Sequence, residues 1–159
     1  MALYGAVYGG LTAYKYRHYL YNDFDLAIFA HALSQILRGT LDESIGGMPW
    51  LGGHFAPVMF LLAPLWAIAR HPLLLLLAQT AALASGAWAV RRIALREVRA
   101  PAAAVALPGL WLLHPALGYF NLFEFHPECF ATPALLFAFD ALRAGRLREL
   151  ADFIVRRKA

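Results

Sequence analysis

The sequence predicts an all-α protein, a polytopic transmembrane helix bundle with juxtamembrane helices on its outer face. Apolar residues make up 61% of the chain and charged residues 15%, against about half and about a quarter in soluble domains. Two runs, Pro72 to Val90 and Ala100 to Phe123, hold no charged residue. At about 1.5 Å per residue, each is long enough to cross a hydrocarbon core about 30 Å thick. Lysine and arginine gather beside the apolar runs, as they do in cytoplasmic loops.

Taken in order, Met1 to Tyr14 (residues 1–14) is a partial first helix, short for a span. It lacks the basic start and small-residue cleavage site of a signal peptide. Residues 15–71 form a long outer loop with juxtamembrane helices. Within it, Asp23 to Arg38 has helical periodicity. Leu26, Phe29, Leu33, Ile36 and Leu37 share one face, with His31, Ser34, Gln35 and Arg38 opposite. Asn22 or Asp23 can cap this helix, Asp25 falls in its first turn, and it is expected to lie in the interface plane. Phe55 to Ala69 is apolar, but its length and its two prolines, Pro57 and Pro64, make it juxtamembrane or re-entrant. Residues 72–90, 100–120 and 129–142 are the expected transmembrane helices. Asn121 to Glu128 is a polar loop between the last two, and 143–159 is a basic cytoplasmic tail. The whole, 1–159, reads as one N-terminal membrane segment of a larger domain.

Orientation follows from the basic residues. Arg91, Arg92, Arg96 and Arg99 lie between two spans, and Arg143, Arg146, Arg148, Arg156, Arg157 and Lys158 follow the last. With both groups cytoplasmic, Pro72 to Val90 runs inward, Ala100 onward runs outward, and the loop NLFEFHPE (Asn121 to Glu128) is outside. Lys15 and Arg17 then lie on the outer side against the rule. The expected location is the cell membrane, with several passes, and the expected partner is the lipid bilayer. The net charge of +4 and pI near 9.5 are explained by these flanks. No stripe of interleaved aromatic and basic residues accompanies them, so nucleic acid is not an expected partner. The single cysteine, Cys129, excludes an internal disulfide.

Three outer-face groups could carry chemistry: Asp23 and Asp25 in NDFD, His54 in GGHFAP, and Glu124, His126 and Glu128 in FEFHPE. Ionisable groups at a membrane boundary are unfavourable unless solvated or paired, so several in one place suggest a site. A carboxylate partly removed from water can act as a base or bind a cation. Each group also has a plain structural reading. The aspartates can satisfy free N–H groups at a helix start, His54 can bond a backbone carbonyl, and Pro127 can open the next helix. No HxxxH or CxxC spacing is present, so a metal is unassigned and a divalent cation is only a candidate cofactor. His31, His71 and His114 stand alone and read as structural. No phosphate-binding loop, nucleophile elbow or dinucleotide fingerprint is present.

The runs FDLAIFAHAL, LGGHFAPVMFLLAPLWAI and NLFEFHPECFATPALLFAF, covering about Tyr19 to Arg146, resemble a prokaryotic family of predicted multi-pass membrane proteins of unknown function. That family is in turn similar to the GT-C glycosyltransferases, such as the protein mannosyltransferases and the aminoarabinose transferases. The resemblance implies the N-terminal part of a GT-C-like fold. It also implies transfer of a sugar from a polyprenyl-phosphate donor on the outer membrane face. In that plan Asp25, with Asp23 beside it, takes the place of the first-loop acid as base or metal ligand. His54, Glu124, His126 and Glu128 line the substrate pocket. The first-loop motif here is FD rather than paired acids, and members of the resembled family are much longer. The chain therefore reads as a fragment, inactive alone. The alternative is a non-enzymatic transport or assembly subunit. Only Gln79, Thr80 and Ser85 are polar within Pro72 to Val90, which does not suggest a solute path. If the transferase reading holds, Asp25 is expected within roughly 12 Å of His126 or Glu128, a gap that one substrate could bridge.

Overall fold

The computed structural model describes residues 1–21, 24–43, 47–53, 55–98 and 100–146. Among them the fold is helical. Helix α1 (Ala2–Arg17) and α2 (Asp25–Ile36) are followed by a small antiparallel ribbon of β1 (Asp42–Glu43) and β2 (Met48–Pro49). Asp42 stands opposite Pro49 and Glu43 opposite Met48 in that ribbon, which the sequence did not announce. Then come α3 (Trp50–Gly53), α4 (Val58–Ile68), α5 (Pro72–Glu97), α6 (Ala103–Leu113), α7 (Pro115–Phe123), a 3₁₀ turn at Pro127–Phe130, and α8 (Ala131–Arg143).

Helix α5 is the axis. It packs against α1, α6, α7 and α8, while α2 packs against α4 and the start of α5. Gln79, early in α5, touches Glu124, whereas Arg96, at its end, touches Asp140 in α8. So α5 and α8 run the same way and α6–α7 runs back between them. Lys15, at the end of α1, reaches Leu122 at the end of α7. The polar loop and the juxtamembrane helices thus share one face, and Arg91, Arg92, Arg96 and Arg143 lie at the other end.

Helix α5, with 26 residues and an 18-residue window of mean hydropathy 1.8, is the one described helix that is long and apolar enough to span a bilayer by itself. The expectation of a continuous helix over 100–120 needs correcting, because that segment is two helices bent by 43°. Pro115 supplies no N–H and disfavours helical backbone at the residue before it. His114 accordingly sits at φ −64°, ψ 124°, and its Nδ1 accepts a hydrogen bond from the Ala116 N–H at 3.3 Å. The same His-Pro device starts α5, where His71 Nδ1 accepts from the Leu73 N–H at 3.2 Å. Both histidines thus act as N-caps before a proline at the first helical position.

Other boundaries also shift. Helix α5 continues past Val90, so Arg91, Arg92 and Arg96 lie on the helix rather than in a loop. Helix α7 runs to Phe123, which shortens the expected loop Asn121 to Glu128 and buries Asn121 against Thr80. The expected helix 129–142 begins with the 3₁₀ turn and holds Asp140, 1% exposed, where the sequence reading saw only an apolar segment. Asp140 accepts from Arg92 at 2.9 Å and Arg96 at 2.8 Å, and Glu97 pairs with Arg143 at 2.6 Å. A charge buried this deeply is tolerable only when paired. In α2, Leu26, Phe29 and Leu33 are buried as expected. Ser34, assigned to the opposite face, instead accepts from Trp66 Nε1 of α4 at 3.1 Å, and Leu37 is exposed.

One apolar core joins α2, α4 and the first half of α5 through Phe29, Leu33, Trp50, Met59, Leu75 and Phe125. A second joins α1, α5 and α7 through Tyr4, Leu83, Ala84 and Leu117. Gly86 lets the Trp111 indole close onto α5, since a Cβ there would lie 2.8 Å from the ring.

The two-faced arrangement makes a labelling prediction. Glu128 and Arg146 are exposed near opposite ends, and the native thiol of Cys129 is fully buried. In a Cys129→Ala background on intact cells, a membrane-impermeant thiol reagent is expected to label Glu128→Cys and spare Arg146→Cys. The reverse pattern inverts the assignment of faces.

Candidate functional site

Asp25 opens α2, and His126 follows the short segment after α7. The two are about a hundred residues apart in sequence, yet His126 Nε2 lies 3.1 Å from Asp25 Oδ2. The expected proximity is therefore met as direct contact. The two groups stand at ion-pair distance, with the imidazole against the carboxylate. His126 is the third His-Pro histidine, and it departs from the pattern of the other two. Its ring reaches across to Asp25 instead of capping its own turn, and its Nδ1 has no hydrogen-bond partner among the described residues. The ring rests against Phe123 and Phe120, at centroid distances of 5.3 and 5.8 Å. Asp25 and His126 remain 28% and 23% exposed, so the pair is open to a substrate. Oδ1 of Asp25 makes no hydrogen bond to the described residues.

Glu124 does something the sequence reading did not give it. It is 1% exposed, and its Oε1 accepts from the Leu26 N–H at 3.3 Å. The first turn of α2 thus receives a carboxylate from a distant loop, which satisfies a free N–H and complements the positive end of the helix dipole. Asn22 and Asp23, the expected caps, lie outside the described residues. Phe24 occupies the cap position and makes no side-chain cap bond.

Gln79 fixes the loop that carries Glu124 and His126. Fully buried in α5, it donates through Nε2 to the carbonyls of Glu124 (2.8 Å), Asn121 (3.2 Å) and Phe120 (3.3 Å). Its Oε1 accepts from the His126 N–H at 2.8 Å. Sequence reasoning counted Gln79 only as a polar residue in a span. Its single signal was that an amide at that depth needs partners. Lys15 closes the same helix end, donating to the Leu122 carbonyl at 2.6 Å with its ammonium 4.5 Å from the Tyr21 ring centroid. Lys15 thus serves a helix C-terminus, where cations are favoured.

Next along the chain from the pair, Leu26 and Glu124 line a cavity of about 490 Å³ with Tyr16, Arg17, Tyr19 and Tyr21; Asp25 and His126 themselves do not line it. It offers aromatic faces with hydroxyl tips and one exposed guanidinium. Burial pushes the Tyr21 phenol above its ordinary range. Nearby Thr12 offsets part of the shift and the Glu124 carboxylate adds to it, so Tyr21 stays a neutral donor. Glu128 is exposed and borders a separate groove of about 310 Å³ with Phe55, Pro57 and Phe130. Of the six candidate residues, Asp25, His126 and Glu124 come together, Glu128 faces another groove, and Asp23 and His54 lie outside the described residues. No three His, Cys, Asp or Glu side chains converge as a metal would require among the described residues.

A family model described as "Predicted membrane protein (DUF2079)" matches residues 16–155. No curated protein and no solved structure matches the chain.

Proposed function

We propose that this chain, which belongs to the DUF2079 family of predicted membrane proteins, carries part of a GT-C-like glycosyltransferase site that uses a polyprenyl-phosphate sugar on the outer membrane face. The observation that carries the reading is the Asp25–His126 contact of 3.1 Å. One carboxylate oxygen of Asp25 stands against the His126 imidazole, and the adjoining Leu26 and Glu124 line a cavity that also bears Arg17 and three tyrosines. This is an arrangement suited to a positioned general base.

In the reaction, the acceptor hydroxyl attacks the anomeric carbon of the donor and its proton passes to Asp25 Oδ1. The bond between the anomeric carbon and the phosphate oxygen breaks, and that oxygen keeps the electron pair. The leaving polyprenyl phosphate gains charge, which the exposed guanidinium of Arg17 would meet. His126 keeps the carboxylate oriented, and the tyrosines give the sugar apolar faces and hydroxyl partners.

A full-length protein of the same family that carries these residues, purified into vesicles with synthetic polyprenyl-phosphate hexoses and pentoses, tests this directly. Mass spectrometry is expected to show free polyprenyl phosphate released with at least one donor and acceptor extract. Failure with every donor, in protein whose helicity and insertion are intact, removes the transferase reading and leaves the assembly-subunit alternative. Transport is the less favoured alternative, because Gln79 and Thr80 are both occupied by α7 and its loop and line no path.

A further inference from the structure

At the basic end, α5 and α6 leave a groove of about 500 Å³ lined by Ala87, Trp88, Arg91, Val105, Pro108 and Leu112. It lies at the opposite end of α5 from Asp25 and shares no residue with that site. Its walls are apolar apart from Arg91 at one end. Trp88 is 57% exposed and Val105 77% exposed. The other described arginines near the end of α5 are already engaged: Arg92 and Arg96 on Asp140, and Arg143 on Glu97. Arg91 is exposed and has no carboxylate partner among the described residues. An apolar trough that ends in one unneutralised guanidinium, with a tryptophan one turn away, matches the charge and shape of a lipid with an anionic head.

We propose that this groove binds one anionic phospholipid of the inner leaflet. Its phosphate sits on Arg91, its glycerol region on Trp88, and an acyl chain lies along Val105, Pro108 and Leu112. The groove has room, because nothing lies within 4 Å of where a Cβ on Gly109 would be. Asp140 and Glu97 offer no competing attraction to Arg91, since both are taken up by other arginines.

Native mass spectrometry of the detergent-purified protein with phosphatidylglycerol or phosphatidylcholine provides the test. Phosphatidylglycerol is expected to be retained as a single bound copy, well above phosphatidylcholine. Arg91→Gln is expected to lower its retention about fivefold, and Arg146→Gln, an exposed arginine outside the groove, to leave it unchanged. Gly109→Phe, whose Cβ has open space around it, puts a ring into the trough and is expected to displace both lipids. Equal retention of the two lipids, no effect of Arg91→Gln, or an equal loss with Arg146→Gln each overturns the proposal. Arg91→Gln decides the matter even if Gly109→Phe folds poorly. The Glu128 and Arg146 labelling independently tests which leaflet the groove faces.

Discussion

Asp25→Asn is expected to lower sugar transfer by roughly a hundredfold to ten-thousandfold, the range that a positioned general base contributes. The change is nearly isosteric and keeps an oxygen that His126 Nε2 can donate to, while it removes the basicity. Protein yield, membrane insertion and thermal stability should therefore stay close to those of the parent. His126→Gln is expected to have a smaller effect on turnover, because it disturbs the orientation of the carboxylate and leaves the base in place. The measurement is polyprenyl phosphate release at saturating donor. Full turnover in Asp25→Asn would assign the Asp25–His126 contact to holding α2 against the loop, and the site would lose its base.

Gln79→Leu is expected to be the most destabilising single substitution at this face. Leucine fills nearly the same space, so little cavity opens. The carbonyls of Phe120, Asn121 and Glu124 and the N–H of His126 all lose their partner. Leaving a buried polar group unsatisfied costs about 1–3 kcal/mol, and some of these groups can find water once the loop loosens. A total of about 3 kcal/mol corresponds to roughly a 10 °C fall in the unfolding midpoint for a chain of this size. Activity should fall with stability, since the same loop carries Glu124 and His126. An unchanged midpoint would show that the loop is held by something other than Gln79.

The parts of the fold written in long-range composition were legible. The uncharged run from Pro72 becomes α5, and α2 buries Leu26, Phe29 and Leu33 at helical spacing. What was hidden depends on single residues within apolar runs. His114 and Pro115 break a stretch whose hydropathy never drops, and Asp140 hides in a segment whose overall character is apolar. Neither leaves a mark on an average taken over a window. The site was legible in part, because ionisable residues at a boundary are few and stand out. Asp25 and His126 were among those singled out. That Glu124 closes the start of α2, and that Gln79 clamps the loop, depends on contacts between residues far apart in sequence, and no local pattern encodes them. The family match supports a predicted membrane protein, and the transferase reading rests on the geometry around Asp25.

The bond from Glu124 to the Leu26 N–H, spanning 98 residues, also imposes an order in time. During synthesis α2 leaves the ribosome long before its closing carboxylate exists. At about 5–20 residues per second, those residues take roughly 5 to 20 seconds to make. Through that interval the first turn of α2 must rely on water, and Asp25 has no histidine to meet. The start of α2 is therefore completed only when the returning segment arrives: a nascent chain stalled before residue 124 already has α4 and α5 for α2 to pack on, but leaves the first turn of α2 open to water.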